Sequence, residues 1–427
     1  MRQEQEHRRK AYLIFVVLLF SYFMSYFFRI APSVVMPLYS ARLNLSATMT
    51  GFIASLFFYA YGAMQPVCGV LLDRFGPMRV ASIGLFFTAL GGFMMIFEPT
   101  VMTLSLWRLF MGLGFSPLFM GALVFQAAAF PIALYAFYSG ITLACGNMGT
   151  VIGVAPLGAA IDRWGMSNVS LALALFCLLL STFLFWVRHE DPVYIKNSSS
   201  SSGLLHNLKE AFLFVTGSPV ARSVTLLWSL SMASILSLQA LWAVSWFSAV
   251  YGRSVADCRG WASLMGVGVV VGTLLSGFWG RSKRNREILL FVFSMFFSLS
   301  LALITGFLYF RFPIYVAAGA GFLLGASTGG GAVCYAAKIN DVARPHLRGA
   351  VMGIVNAFIY MTVIIYQWGT GAILDFFPGS ALGHYAKEGY SVAYVVVFCA
   401  STLSFWALRT LYKKEKEPLK AQAESDS

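Results

Sequence analysis

Apolar residues run along this chain in long blocks cut by short polar interruptions. A helix needs about 20 consecutive apolar residues to cross the hydrocarbon of a bilayer. The blocks predict twelve such helices, over 11–40, 47–72, 78–97, 101–126, 134–161, 168–188, 222–250, 259–280, 287–310, 313–338, 347–374 and 390–412. The only long polar stretch, 189–221, falls between the sixth and the seventh and holds the run Ser198–Ser202. Serine-rich composition predicts a flexible linker there. The predicted organisation is a tail (1–10), a bundle (11–188), a linker (189–221), a second bundle (222–412) and a tail (413–427). The expected fold is an all-α membrane protein of twelve transmembrane helices in two six-helix bundles.

Composition narrows the class. Of 427 residues 59% are hydrophobic and 11% charged, whereas a soluble domain carries about 25% charged residues. So few charges cannot cover a water-facing surface. The net charge of +13 does not point to nucleic acid, because the basic residues are scattered between the apolar blocks. They set orientation instead. One side of the predicted topology receives 22 Lys and Arg and the other receives six, which puts both termini and the linker in the cytoplasm. The basic start, Arg8-Arg9-Lys10, resembles a signal peptide, but the apolar run that follows is long and lacks a small-residue cleavage site, so an uncleaved first helix is expected. Of the six cysteines five lie inside apolar blocks. They form neither a disulfide framework nor a zinc spacing, and no metal or cofactor is expected. The expected setting is a bacterial inner membrane, with the lipid bilayer and a small solute as the only partners of a monomer.

The two halves look like repeats. Gly158-Ala-Ala-Ile-Asp162, ending the fifth helix, matches Gly371-Ala-Ile-Leu-Asp375, ending the eleventh, at an offset of 213. The same offset pairs Gly112 with Gly325 and Gly140 with Gly353. Two six-helix repeats around a central site suit a rocking transporter.

After the second helix comes Gly69-Val-Leu-Leu-Asp73-Arg74-Phe-Gly76-Pro-Met-Arg79. It resembles the signature loop of the major facilitator superfamily. The fourth helix carries Arg108-Leu-Phe-Met-Gly112-Leu-Gly114, which resembles that family's helix-4 motif. Gly69 is expected to let two helices approach closely. Asp73 is expected to face the dipole at the start of the eleventh helix, with Arg74 and Arg79 on the positive side. The resemblance implies that this loop latches the halves at the cytoplasmic face, and that Arg108 relays protons or locks its half. The second-half counterpart, Gly277 to Arg286, keeps the basic residues and lacks the acid.

Buried polar residues point to a ligand site. Arg29 lies in Tyr26-Phe-Phe-Arg29-Ile-Ala-Pro32-Ser33, about 6 Å from the midpoint of the first helix at 1.5 Å per residue. Tyr26 and Ser33 share its face. A guanidinium matches carboxylate and phosphate. In the seventh helix Gln239 and Trp242 fall at the corresponding depth. Tyr59, Asn147, Tyr335, Asn356 and Tyr360 are further candidate solute contacts. No Asp, Glu or His falls mid-membrane, which favours uniport or exchange over proton coupling and leaves no residues for a membrane enzyme. The Arg29 string, with Met36-Pro37-Leu and Phe58-Tyr59-Ala-Tyr61 to Met64-Gln65-Pro66, resembles bacterial relatives of the lysosomal dipeptide uniporter branch. That resemblance implies a dipeptide whose carboxylate meets Arg29. The expected activity is alternating-access transport of a carboxylate-bearing solute: a dipeptide, an amino acid or another organic anion. Efflux of amphipathic drugs or siderophores and a non-transporting sensor are the alternatives.

Overall fold

The computed structural model describes residues 2–131, 134–191, 204–310, 312–344, 347–379 and 385–400. Helices dominate, since backbone in a bilayer must satisfy its own hydrogen bonds. Seven spans are single helices: the second, Ala47–Phe75, third, Pro77–Met94, sixth, Met166–Trp186, eighth, Val255–Trp279, ninth, Lys283–Phe310, tenth, Ile314–Val342, and eleventh, Arg348–Asp375. The twelfth is helical over 387–400. Its predicted remainder, the C-terminal tail and residues 192–203 lie outside the described residues. Among the described residues, ten helices are long and apolar enough to cross a membrane, and eleven when the bent fifth span is included.

Four spans are interrupted, each near a candidate residue. The first is Arg2–Ile30 and Pro32–Ser40, divided at Ala31. Pro32 has no N–H to give the Phe28 carbonyl, so the ladder breaks there. The fourth divides at Ser116 and Pro117 into Val101–Phe115 and Leu118–Ala129. The fifth, Tyr135–Ile152 and Ala155–Trp164, bends by 49°. The seventh runs Pro219–Ser237, widens into a π turn over Leu238–Trp242, and ends as Ala243–Tyr251.

The polar stretch 189–221 is not flexible throughout. Leu204–Gly217 is a helix packed on the seventh and eleventh spans. Ala211 and Val215, one turn apart, are buried against them, so the segment is an amphipathic helix rather than a tether.

Within each half, glycines bring helix backbones together, as expected where lipid offers no hydrophobic drive for association. Gly325 of the tenth span packs on the Met265 carbonyl of the eighth. Its repeat partner Gly112, in the fourth span, packs on the Phe57 carbonyl of the second. The repeats therefore share packing as well as sequence.

The halves meet mainly along two seams, the second span on the eleventh and the fifth on the eighth, and the far part of the first span also packs on the seventh. We call the face holding Lys10 the entry face and the opposite one the far face. Toward the far face the seams are tight. Gly51 abuts the Gln367 carbonyl, Gly371 the Ala47 carbonyl and Gly266 the Thr150 carbonyl. Toward the entry face they part. Among the described residues, no neighbouring element comes within 4 Å of a would-be Cβ at Gly140, Gly277, Gly349 or Gly353. The structure is closed at the far face and divided at the entry face.

Candidate functional site

Arg29 sits where the seams begin to part. Its guanidinium carbon lies 4.5 Å from the centroid of Tyr26, 5.1 Å from Tyr61, 5.8 Å from Phe57 and 6.0 Å from Tyr360. The first span supplies Arg29 and Tyr26, the second Phe57 and Tyr61, and the eleventh Tyr360. The cage is thus built from both halves. Tyr61 and Tyr360 touch edge to face at 5.0 Å, and Gly62 leaves space for the Tyr360 side chain. Arg29 is 5% exposed, and its Nε has no hydrogen-bond partner. Among the described residues no carboxylate pairs with it. Aromatic rings attract a cation, and the Tyr360 hydroxyl is placed to accept from the guanidinium. Among the described residues, the geometry leaves Nε of a buried cation without an acceptor and the charge without an acid.

Arg108 is used differently. It is fully buried, with Nη1 donating to the Phe28 carbonyl at 3.0 Å and Nε and Nη2 donating to the Ala54 carbonyl at 3.2 and 2.9 Å. Phe28 is the residue whose carbonyl Pro32 leaves without its helical donor. Arg108 supplies that donor and ties the fourth span to the first two. These bonds lie within its half, and its ring contact with Phe57, at 4.8 Å, puts it behind the Arg29 cage.

The other candidates divide. Asn356, half-buried, lies one turn from Tyr360 on the same face. Gln239 is 2% exposed in the π turn beside the far half of the first span, and among the described residues its Nε2 has no hydrogen-bond partner. Four more are engaged in packing. The Ser33 hydroxyl donates to the Ile30 carbonyl at 2.9 Å. Asn147 donates to Thr273 at 3.3 Å across the fifth–eighth seam. Trp242 donates to Thr370 at 2.9 Å inside the second half, and Tyr335 packs beside Trp228 there. Tyr59 does not join the cage. It is two residues before Tyr61, about 200° around the helix, and is 41% exposed.

The entry-face loop also differs from expectation. Asp73 is exposed and, among the described residues, makes no hydrogen bond or ion pair. The start of the eleventh span is not its partner, because the seams are parted there. Gly69 is not tightly packed either, with Met120 Sδ 3.9 Å from a would-be Cβ. Arg74 lies exposed over Phe75, and Arg79 is half-buried. Asp191, which the sequence did not single out, holds the loop. It accepts from the Met78 N–H at 2.9 Å, and Gly76, at φ +80°, leaves it room.

Acids also mark the far face. Asp162 pairs with Arg259, in the second turn of the eighth span. Asp375 accepts from the Ala47 and Thr48 N–H groups at 2.6 and 2.9 Å. Tyr385, in the segment after the eleventh span, is pushed up to about 12 by burial and then by the Asp375 charge. Tyr26, Tyr61 and these acids stood in the quoted sequence strings and Tyr360 was named as a candidate, but only the fold shows what they face, and it alone adds Phe57 to the cage.

Comparison with known proteins agrees with this architecture. A crystal structure of similar fold is that of a bacterial homologue of the human lysosomal transporter Spinster, in an inward-facing and occupied conformation. It aligns at TM-score 0.74 and 14% identity over 95% of this chain and 98% of that one. Two curated relatives carry names of organic-acid transporters. One is the Probable sulfoacetate transporter SauU of Cupriavidus necator, 29% identical over 33% of this chain and 33% of its own length. The other is the Probable L-galactonate transporter of Escherichia coli, 36% identical over 24% of this chain and 23% of its own length. The matches span less than half the length of these relatives. The family model, by contrast, matches residues 18–366. The chain belongs to the Major Facilitator Superfamily.

Proposed function

We propose that this protein moves a small organic anion across a bacterial inner membrane by alternating access, with Arg29 as the anion's principal contact. The observation that carries the reading is a buried arginine, caged by rings from both halves, with no acid beside it. A solute anion would complete it through charge-assisted bonds. Asn356, one turn from Tyr360, and Gln239, whose Nε2 has no partner among the described residues, are the candidates for reading the rest of the solute. The charge asymmetry of the loops supports a cytoplasmic entry face, cytoplasmic termini and an inward-open state.

The names of the two relatives favour a sulfonate or hydroxy acid over a dipeptide. The cage favours the same choice, because a dipeptide ammonium would find aromatic rings there but no carboxylate. The lack of a central acid supports uniport or exchange, and the protein is proposed to work as a monomer.

The test is a thermal-shift screen of the purified protein against sulfonates, hydroxy acids, dipeptides, neutral sugars and organic cations. A ligand that binds the native state raises its melting temperature by mass action. The account expects shifts from anions alone. Shifts from neutral or cationic compounds alone would overturn it, and binding without flux in vesicles would make the protein a sensor.

A further inference from the structure

The Gly-Ala-x-x-Asp repeat has a use that the solute site does not absorb. Both copies end a span at the far face, one in each half. Both reach the first two turns of a helix in the other half, Ala47 and Thr48 opening the second span and Arg259 lying in the second turn of the eighth, so the two contacts are related by the same pseudo-symmetry as the spans themselves. In the first copy, Gly158 has no side chain and the Arg259 side chain lies across it. One turn later Asp162 takes the Arg259 guanidinium. In the second copy, Gly371 has no side chain and the Ala47 carbonyl lies against it. One turn later Asp375 accepts from the Ala47 and Thr48 N–H groups and from the Thr48 hydroxyl. Positions four apart share a helix face. Each repeat therefore offers a seat and a catch on one side of one helix.

The two catches differ in chemistry. Asp375 holds free N–H groups at a helix start, where the dipole favours an anion. Asp162 holds a side-chain cation that is 5% exposed, while it is itself half exposed. Both contacts cross between halves at the tight end of a seam, and opening the far face must break both. We propose that Gly158-Asp162 and Gly371-Asp375 are paired catches that hold the far face shut, with Arg259 and the start of the second span as their keepers.

This inference rests on the alternating-access reading but not on any solute, so its test reads conformation. Spin labels at Arg42→Cys and Arg253→Cys, both exposed at the far face on opposite halves, report the distance between halves in a background freed of other cysteines. The reference protein is expected to show mainly the short distance. Asp162→Asn and Asp375→Asn are each expected to raise the ratio of the long-distance to the short-distance population about tenfold, as for loss of one charge-assisted hydrogen bond, and the double variant more. The exchange Asp162→Arg with Arg259→Asp is expected to restore the short distance, which a packing defect would not allow. Distance distributions unchanged in both single variants and in the double variant would overturn the proposal. So would a failed exchange in protein that remains monodisperse and melts as the reference does. Failure of the anion reading alone would leave these distances unaffected.

Discussion

Replacing Arg29 with Gln separates a structural arginine from a waiting one. The substitution removes contacts with Tyr26 and Tyr61, the two nearest rings, at 4.5 and 5.1 Å. Each is worth about 0.5–1 kcal/mol at exposed sites and about 2 kcal/mol when desolvated. It also removes a buried charge that has no acid beside it, whose desolvation penalty is on the order of several kcal/mol. The two effects oppose. Without solute, Arg29→Gln is therefore expected to melt within about 1 kcal/mol of the parent or above it. Solute binding is expected to fall sharply. Two charge-assisted bonds to one carboxylate or sulfonate contribute about 1.5–3 kcal/mol each. Losing about 3 kcal/mol weakens affinity roughly 150-fold. At a solute concentration near 100 times the parent's Kd, the parent gains about 2.7 kcal/mol, and a variant with 100-fold weaker affinity gains about 0.4 kcal/mol. The assay is a pair of melts, with and without the anion. A variant that loses about 3 kcal/mol or more in the absence of solute but keeps the full ligand shift would refute the reasoning.

Other substitutions test neighbouring claims. Tyr360→Phe keeps the ring and is expected to leave anion affinity within about threefold, whereas Tyr360→Ala weakens it about fivefold to tenfold in titrations. Arg108→Ala strands the Phe28 carbonyl and empties a packed site, so it is expected to lower stability by about 2–5 kcal/mol in thermal or denaturant melts. Trp242→Phe loses its bond to Thr370, and the expected result is a stability loss of about 0.5–1.5 kcal/mol with unchanged solute affinity.

The spans were legible because a bilayer imposes one length and one composition on every crossing helix. Arg29 was legible for the same reason, as a charge too deep to reach water easily. Its cage was not. Phe57 and Tyr61 look like ordinary apolar or interfacial residues until the second span is set against the first. Tyr59, two residues away, looks equivalent in sequence and points elsewhere. Local geometry hid other features. The π turn over Leu238–Trp242 has no marker comparable to Pro32, and the serine run masked the amphipathic period of Leu204–Gly217. Asp73 fails for a further reason. Its expected partner belongs to a state closed at the entry face, and the structure is parted there. One sequence encodes the contacts of several states, and a single structure displays those of one. The Gly-Ala-x-x-Asp repeat was visible as symmetry long before its two keepers were.

Flux in reconstituted vesicles tests the central claim most directly. A labelled organic anion selected by the thermal screen is offered to proteoliposomes, with and without the same unlabelled anion inside. The account predicts saturable uptake that rises on preloading and falls to background in Arg29→Gln inserted at equal density. Equal uptake by the parent and Arg29→Gln would contradict it.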